Sequence, residues 1–364
     1  MFSIIHVLSS YGVGGQERVA LDLAIGQRAR GHRVCAISLA PPPDGPIADE
    51  LREHGIDPLR VAKRDGFDPT LFVRLARALR SHAVDVVHTH NPLPLIYGAP
   101  AARLAGAVAI HTKHGANPGS RGQRVLRRAA AQLASAFVAV SEKTAEQARA
   151  LHDAPLERVH VIANGIRLDR YHPDPEARAS VRVELGLGDA WVVGTVGRLD
   201  DYKNQAMLVR ALAPRLSSSM RLVIVGDGPN RAAVEAEVAR LPEPRWVVMT
   251  GRRMDVPRLM PAFDVFALPS KTEGLPLVVP EAMAAALPIV ATAVGGLPGV
   301  VDEGETGLLA PIDEAMFAAA LGRLADDRAR AREMGARARE VALLRYSADR
   351  MVDAYLDLYA KARA

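Results

Sequence analysis

Short apolar runs rich in valine and isoleucine alternate with helix-like segments along most of the chain. The runs are apolar throughout, which is typical of strands that helices cover on both faces of a parallel sheet. The pattern therefore predicts an α/β protein with doubly wound parallel sheets. Strands are predicted at residues 3–8, 33–39, 84–90, 109–112, 137–140 and 160–162, and again at 192–196, 221–225, 246–250, 265–268 and 288–291.

A charged stretch with two prolines separates the two series of predicted strands. This stretch, residues 164–189, is interpreted as a linker followed by a helix, and each side has about the size of one Rossmann-like domain. Because the two halves resemble each other at this coarse level, we expect two similar domains that face one cleft. From residue 313 onward the pattern is helical. The final helix is predicted to place four apolar residues on one face: Met351, Tyr355, Leu358 and Tyr359.

Composition and charge exclude several classes of protein. The chain has 364 residues, which suggests roughly two domains at about 150 residues each. Its single cysteine, Cys35, excludes an intramolecular disulfide framework and a cysteine-cluster metal site. A net charge of +5 is modest and by itself implies neither nucleic acid nor anionic lipid as a partner. Pro288 and Pro298 interrupt the uncharged stretch 282–301, so no membrane span is expected there. The N-terminus lacks a signal-peptide pattern, and the expected location is the cytoplasm.

The first segment with candidate chemistry is a glycine-rich turn, Gly12 to Glu17, which follows the first predicted strand and opens a helix. Glycines allow a close approach of the backbone, and free N–H groups at a helix start suit a phosphate or a developing negative charge. Glu17 stands where a dinucleotide-binding fingerprint has its third glycine. The segment is therefore equally consistent with a tight strand-to-helix turn.

The second segment follows the first strand of the second half and carries Arg198 and Lys203. Open α/β sheets bind ligands at the carboxyl ends of their strands, and two fixed cations there suit a diphosphate. The alternative is a solvated loop with charges of both signs, since Asp200 and Asp201 lie between the cations.

The third and most specific segment, residues 269–283, carries two glutamates eight positions apart. Glu273 lies in a loop just past a predicted strand. Pro280 is expected to be the first residue of a helix, which puts Glu281 in the first turn. Such a carboxylate pair can bind sugar and ribose hydroxyls while loop amides hold phosphate. The alternatives are an exposed loop acid and simple complementarity to the helix dipole.

Histidine and arginine clusters leave two further possibilities open. Four histidines could form a zinc site, although hydrogen-bonded residues at a cleft edge are the preferred interpretation: His88, His90, His111 and His114. Three arginines share one side of a helix predicted over residues 122–133, in a region without acids. They form either a solvated face or a site for an anionic acceptor or a membrane surface: Arg121, Arg124 and Arg128.

In this order, the segments resemble the motifs of retaining GT-B glycosyltransferases of family 4, also called glycosyl transferases group 1. Residues 273–281 resemble the family's Glu-x7-Glu motif, residues 14–17 its N-terminal glycine loop and residues 111–115 its active-site histidine segment. The resemblance covers nearly the whole chain. Further landmarks are residues 140–142, 162–166, 225–229 and 295–298.

The resemblance implies the GT-B fold, with two Rossmann-like domains that face a central cleft. Residues 1–167 would bind the acceptor and residues 168–345 the nucleotide-sugar donor. The final helix, residues 346–364, would pack back on the first domain.

The resemblance also implies roles for individual residues. The catalytic set would be Arg198, Lys203, Glu273 and His114. The two cations would neutralise the donor diphosphate, Glu273 would contact the transferred sugar, and His114 would lie beside that sugar. Glu281 would bind the nucleotide ribose, and Gly15 would offer its N–H to the phosphates. The further donor-binding residues implied are Gly14, Gly197, Gly274, Leu275 and Leu277.

The implied reaction is retaining transfer of a sugar from a nucleotide-diphosphate donor, with UDP-linked donors ranked before GDP-linked ones. The acceptor would be a glycan, a lipid-linked molecule or a small molecule in glycan or glycolipid synthesis. Neither a cofactor nor a metal is expected, because the sequence lacks Asp-x-Asp, the usual metal handle of the other major glycosyltransferase fold. No nucleic-acid partner is expected, whereas a peripheral contact with the inner face of a membrane stays open. The alternatives are a GT-B-like epimerase or phosphorylase and a non-catalytic nucleotide-sugar-binding protein.

Overall fold

The computed structural model describes residues 1–115 and 119–364, and it divides the chain into two compact units. Unit 1 comprises Met1–Ile166 and Ala348–Ala364, and unit 2 comprises Arg167–Ser347. The sequence-based boundaries, after residues 167 and 345, lie within two residues of these divisions.

Unit 1 is built on a parallel sheet, which has seven strands within the described residues, in the order β3-β2-β1-β4-β5-β6-β7. The strands are β1 (Ser3–Leu8), β2 (Arg33–Ser38), β3 (Asp57–Arg60), β4 (Val86–His90), β5 (Val108–Lys113), β6 (Ala136–Ala139) and β7 (Val159–Val161). The helices are α1 (Gly15–Ala29), α2 (Pro46–Glu53), α3 (Thr70–Ser81), α4 (Pro92–Ala105), α5 (Arg121–Ala131), α6 (Glu142–Ala150) and the C-terminal α14 (Ala348–Arg363).

Unit 2 repeats this design, with a parallel sheet of six strands in the part of the chain that is described, in the order β10-β9-β8-β11-β12-β13. Its strands are β8 (Trp191–Val196), β9 (Met220–Val225), β10 (Val247–Gly251), β11 (Val265–Leu268), β12 (Ile289–Thr292) and β13 (Gly307–Ala310). Its helices are α7 (Pro175–Glu184), α8 (Gln205–Leu212), α9 (Arg231–Ala239), α10 (Val256–Leu259), α11 (Val278–Ala284), α12 (Glu314–Asp326) and α13 (Arg328–Arg345).

Each sheet has one point at which the strand order changes direction. This point lies between β1 and β4 in unit 1 and between β8 and β11 in unit 2. The loops that leave two such strands diverge to opposite faces of the sheet, and the crevice between them is where open α/β sheets bind ligands. Candidate ligand sites are therefore expected at the loops that follow β1 and β4 in unit 1 and β8 and β11 in unit 2.

The apolar runs correctly predicted the central strands, whereas two strands at sheet edges were missed. All six residues of β1 and of β8 are buried, in agreement with the largely apolar sequence of both strands. In contrast, β3 has the sequence Asp-Pro-Leu-Arg and no buried residue, and β13 is four residues long and begins with Gly307. An edge strand pairs with one neighbour and needs fewer apolar residues, so the sequence signal of β3 is weak. β13 is apolar and mostly buried, but it is only four residues long.

The C-terminal region is helical as expected, and α14 belongs to unit 1. The four apolar residues predicted to share one face of this helix are all buried. Among the described residues, no helix combines the length and the apolar character that crossing a bilayer would require.

Candidate active site

In unit 2, the two loops at the strand-order change bring together a lysine and a glutamate. Lys203 follows β8, and Glu273 follows β11. The Nζ atom of Lys203 lies 2.6 Å from Oε1 of Glu273, and the side chains are 21% and 10% exposed. This geometry is a charge-assisted hydrogen bond in a partly desolvated position. The two segments singled out from the sequence therefore meet, although 70 positions separate these residues.

The Glu273 carboxylate is oriented by further contacts. Ser270 is fully buried and donates its hydroxyl to Oε1 of Glu273 over 2.6 Å. Gly296 donates its backbone N–H to the Glu273 carbonyl over 3.3 Å. Gly295 has a φ of +56°, and a Cβ atom there would lie 1.8 Å from that carbonyl oxygen. The loop after β12 can pack against Glu273 only because position 295 has no side chain.

The remaining residues singled out in unit 2 lie around this pair. Arg198 extends into solvent, with its side chain 71% exposed and its Nε 3.9 Å from Oδ2 of Asp200. Gly197 lies beside the Lys203 stem, since a Cβ atom there would be 3.7 Å from Cε of that lysine. Gly274 follows Glu273 directly in the loop, and the side chains of Leu275 and Leu277 are buried.

The helix that carries Glu281 begins earlier than expected. α11 starts at Val278, so Pro280 is its third residue rather than its first, and Glu281 still lies in the first turn. A proline fits there because the first N–H groups of a helix have no partner within the helix. The Glu281 side chain is buried.

In unit 1, the glycine loop and the His114 segment are linked through Asn91. Gly14 and Gly15 follow β1 at the start of α1, and Asn91 follows β4. The amide of Asn91 donates to the Oε1 atom of Gln16, and its own Oδ1 accepts the backbone N–H of His114 over 3.2 Å. The two segments predicted to act on the donor are thus joined at the strand-order change of unit 1.

The two glycines of this loop differ in their surroundings. A Cβ atom at position 14 would lie 2.4 Å from Oε2 of Glu17, whose carboxyl group folds back over the loop. A Cβ atom at position 15 would meet nothing within 4 Å among the described residues. A side chain at position 14 would therefore displace the Glu17 carboxyl group, whereas position 15 leaves open space beside the backbone.

The sequence of the chain matches two families. Residues 13–170 match the family described as Glycosyltransferase Family 4, and residues 190–327 match the family described as Glycosyl transferases group 1. The D-inositol 3-phosphate glycosyltransferase of Xylanimonas cellulosilytica is 32% identical, over 96% of this chain and 92% of that protein. The chain belongs to the family 4, group 1 glycosyltransferases.

A further relative and a solved structure are similar to this chain. The GDP-mannose-dependent alpha-(1-6)-phosphatidylinositol monomannoside mannosyltransferase of Mycolicibacterium smegmatis is 34% identical, over 76% of each chain. The crystal structure of Anabaena Alr3699/HepE in complex with UDP and glucose superimposes with a TM-score of 0.90, at 23% identity, over 99% of this chain and 100% of that one. The fold is GT-B, as expected.

The four histidines singled out from the sequence lie in unit 1, and the expectation that all of them line a cleft edge is wrong. His88, His90 and His111 are at most 2% exposed, because β4 and β5 are central strands covered on both faces. His114, just after β5, is half-buried.

A metal site among these histidines is not favoured by the contacts. His6, His88 and His90 place ligand atoms within 4.8 Å of one another. However, both ring nitrogens of each of these residues are already hydrogen-bonded to protein groups. A metal ligand needs a free lone pair, so the cluster is better described as a hydrogen-bonded network.

The arginine cluster lies on α5, which begins and ends slightly earlier than expected, at Arg121 and Ala131. Ser120 and Gln123 form a capping box that fixes its start. Arg121, Arg124 and Arg128 are exposed, and within the described residues none of them pairs with a carboxylate. The Arg124 guanidinium donates to the backbone carbonyl of residue 119, and the Arg128 guanidinium donates to that of residue 151.

Several residues of these sites were not identified from the sequence. Ser270 stood within the third segment but was assigned no role, and Asn91 lies beside His90 without having been singled out. His6 lies in an apolar stretch, and the signal that could have identified it is a polar residue in an otherwise buried pattern. Gln27 lies beside Arg28 and carries no such signal.

Replacement of Gly295 by alanine should disturb the site through Glu273. The added Cβ overlaps the Glu273 carbonyl and adopts an unfavourable φ, so we expect the free energy of unfolding to fall by about 2–4 kcal/mol and kcat/KM to fall with it. Gly299→Ala is the matched control, because no atom of the described residues lies within 4 Å of its added Cβ. Urea titration and a transfer assay check both variants. Equal effects of the two would contradict the role given to Gly295.

Acidification should destabilise unit 1 through its buried histidines. Burial lowers the pKa of His6 to about 4 and of His111 to about 3. Between these values and about 6.5 the unfolded chain binds protons that the folded state excludes, so stability falls as pH decreases from 7 to 5, by on the order of 1 kcal/mol for each buried histidine.

The measurement is thermal unfolding between pH 7.5 and 5. In His111→Asn, an amide takes the place of Nδ1 near Thr89 and one titrating group is lost, so the decrease in Tm with acidification should become shallower. Replacement of the exposed His172 by asparagine should leave the decrease as in the wild type. An unchanged Tm across this pH range in the wild-type protein would refute the prediction.

Proposed function

We propose that this glycosyltransferase moves a sugar from a nucleoside-diphosphate sugar, UDP-linked in the first instance and GDP-linked in the second, to an acceptor hydroxyl. The observation that carries the proposal is the contact of Lys203 with Glu273, from the two loops at the strand-order change of unit 2. This is where α/β sheets bind nucleotides, and the pair combines a cation for phosphate with a carboxylate for hydroxyls. Two similar proteins support uridine and guanosine as the candidate nucleosides of the donor. One is named as GDP-mannose-dependent, and the structure of the other contains UDP.

The two cations would stabilise the departing nucleoside diphosphate. Cleavage of the bond between sugar and phosphate leaves negative charge on the diphosphate, and a positioned cation stabilises this charge where it develops. Lys203 is held near Glu273, whereas Arg198 is exposed and can form a bidentate contact with phosphate oxygens.

The two glutamates would bind hydroxyl groups of the donor. The Oε1 atom of Glu273 accepts from Lys203 and Ser270, and no described residue donates a hydrogen bond to its Oε2. This second oxygen can accept from hydroxyls of the transferred sugar. Glu281, at the start of α11, would bind the ribose of the nucleotide.

We further propose that transfer proceeds with retention and without a metal ion. In this scheme an oxocarbenium-like state forms at the sugar, the acceptor hydroxyl attacks from the side the diphosphate leaves, and a donor phosphate oxygen takes the hydroxyl proton. The absence of an Asp-x-Asp motif from the sequence supports cation side chains in place of a metal. Activity that survives a chelator and collapses in Lys203→Ala would agree with this scheme.

The donor and the role of Lys203 are tested together. A ligand that binds the folded state raises Tm, so a panel of nucleotide sugars should give its largest shift with the true donor, which we expect to be UDP-linked. Lys203→Ala should lower kcat by about 100-fold or more, as for the loss of one positioned charge-stabilising group. Lys271→Ala is the control, because this lysine is exposed in the loop that carries Glu273.

Transfer is followed by NMR, which also shows the anomeric configuration of the product. Full turnover by Lys203→Ala at saturating donor would contradict the proposal. Conversion of the donor in the absence of any acceptor would instead indicate an epimerase.

We also propose that α5 contacts an anionic membrane surface from the cytoplasmic side. Its three exposed arginines lie beside exposed apolar side chains, with Val125 59%, Leu126 42% and Leu133 41% exposed. Basic and apolar groups on one short helix suit the interface of a bilayer that contains anionic lipid. The mycobacterial relative, which is named for a phosphatidylinositol monomannoside, supports a lipid-linked acceptor.

Liposome flotation tests this contact. The protein should float with vesicles that contain phosphatidylglycerol and much less with neutral phosphatidylcholine vesicles. Arg124→Glu/Arg128→Glu should abolish most of the flotation, since each basic residue near such a surface contributes about 1 kcal/mol. The control is Arg328→Glu/Arg332→Glu, an exposed pair with the same spacing on α13. Unchanged flotation of the α5 variant would remove the proposal.

A further inference from the structure

A continuous chain of side-chain hydrogen bonds runs through the interior of unit 1 and ends at His114. It begins at Gln27 on α1, whose Oε1 lies 2.8 Å from Nε2 of His6. Nδ1 of His6 lies 3.0 Å from Nε2 of His90, and Nδ1 of His90 lies 3.0 Å from Nε2 of His114. The first three residues are fully buried. We call this series, Gln27–His6–His90–His114, the histidine chain.

All three imidazoles of the histidine chain are neutral at pH 7. Burial lowers the pKa of His6 to about 4 and of His114 to about 3, and it lowers the pKa of His90 well below its usual value. A neutral imidazole has one N–H group and one lone pair, so each ring donates through one nitrogen and accepts through the other. Fixing the role of one nitrogen therefore fixes the next.

The Gln27 amide fixes the direction of the whole chain. Its oxygen can only accept, so His6 carries its proton on Nε2 and accepts through Nδ1. His90 must then donate from Nε2 and accept through Nδ1. His114 in turn donates from Nε2, and its Nδ1 is left with a lone pair. Each ring adopts the Nε2–H form, which is the more stable tautomer of a free histidine side chain.

The two ends of the histidine chain explain why it has a direction. At one end, Nε2 of Gln27 donates to the hydroxyl of Tyr359 on α14 over 3.2 Å, while its Oε1 faces Nε2 of His6. At the other end, Nδ1 of His114 is buried and has no hydrogen-bond partner among the described residues. A buried acceptor without a partner is unfavourable, and a ligand that donates a hydrogen bond to it would remove this cost.

A second branch shares Tyr359 but does not reach His114. The Tyr359 hydroxyl lies 2.6 Å from Nδ1 of His88, and Nε2 of His88 lies 2.7 Å from the Thr112 hydroxyl. That hydroxyl lies 2.8 Å from the hydroxyl of Tyr355. This branch provides a control, because its residues are also buried and hydrogen-bonded in unit 1.

We propose that Gln27, His6 and His90 are positioning residues that hold His114 in the Nε2–H tautomer, so that its Nδ1 accepts a hydrogen bond from a hydroxyl of the transferred sugar. The choice of a sugar hydroxyl rests on the proposed function, whereas the tautomer does not. A lone pair accepts from a hydroxyl and is repelled by a phosphate oxygen, so the arrangement makes His114 selective for the sugar part of the donor.

The decisive measurement is the tautomer of His114 in the free protein. Long-range ¹H–¹⁵N correlation spectra of protein labelled with ¹⁵N-histidine distinguish protonated from unprotonated ring nitrogens, and His114→Gln assigns the signals. We expect protonated Nε2 and unprotonated Nδ1 in the wild type. Gln27→Leu should shift His114 towards a mixture of tautomers, whereas Tyr355→Phe, on the second branch, should leave the signals unchanged. This measurement needs no substrate, so it stands or falls independently of the proposed function.

Two outcomes would overturn the proposal. The first is a wild-type spectrum with the proton of His114 on Nδ1, which would mean that the chain runs in the opposite direction. The second is an unchanged His114 tautomer in a folded Gln27→Leu variant. The wild-type spectrum is decisive even where a variant fails to fold.

A conservative pair of variants adds a functional readout. The Oδ1 atom of asparagine takes the place of Nδ1 of histidine, so His90→Asn keeps an acceptor for the N–H of His114, whereas His90→Leu removes it. We expect kcat/KM to fall about tenfold in His90→Leu, which corresponds to the loss of one hydrogen bond. In His90→Asn, kcat/KM should stay close to the wild-type value. Equal losses in both variants would indicate that His90 has only a packing role.

Discussion

Polar groups on the central strands of unit 1 must find partners within the protein, and much of this unit is arranged around that requirement. A buried polar group without a partner costs about 1–3 kcal/mol, so a strand that carries His88 and His90 on covered faces is stable only if other elements supply donors and acceptors. The C-terminal helix α14 supplies two of them, the hydroxyls of Tyr355 and Tyr359. The last helix of the chain is therefore part of the interior of the first unit.

The two units use the same topology for different chemistry. At the strand-order change, unit 1 presents neutral groups, namely backbone amides of the glycine loop and an uncharged His114. Unit 2 presents charged groups at the equivalent place, Lys203 and Glu273. A neutral imidazole suits hydroxyl groups, whereas an ammonium group suits phosphate. Within unit 2, Lys203 suits the phosphates of a nucleotide sugar and Glu273 suits its hydroxyls, and this pair is the physical basis for the proposed substrate class.

Close backbone approaches make the unit 2 site possible. The loop after β12 reaches the Glu273 carbonyl because Gly295 has no side chain, and Gly226 approaches the carbonyl of Gly197 in the same way. Such contacts position loops without using the side chains that bind ligand. Arg198 differs from the other residues of the site, because its side chain is exposed and can change conformation when a ligand binds.

The sequence by itself determined the fold class, the central strands and the charged residues of unit 2. Uninterrupted apolar runs require covering on both faces, and parallel strands bring their carboxyl ends, and thus Lys203 and Glu273, to one edge. Tertiary structure alone decided the edge strands β3 and β13, the start of α11 and the partners of the histidines. Gln27 and Tyr359 are 332 positions apart, and no local pattern indicates such a pair. Hydrogen-bond direction depends on which atoms meet in space, whereas periodicity reports which side of an element is buried.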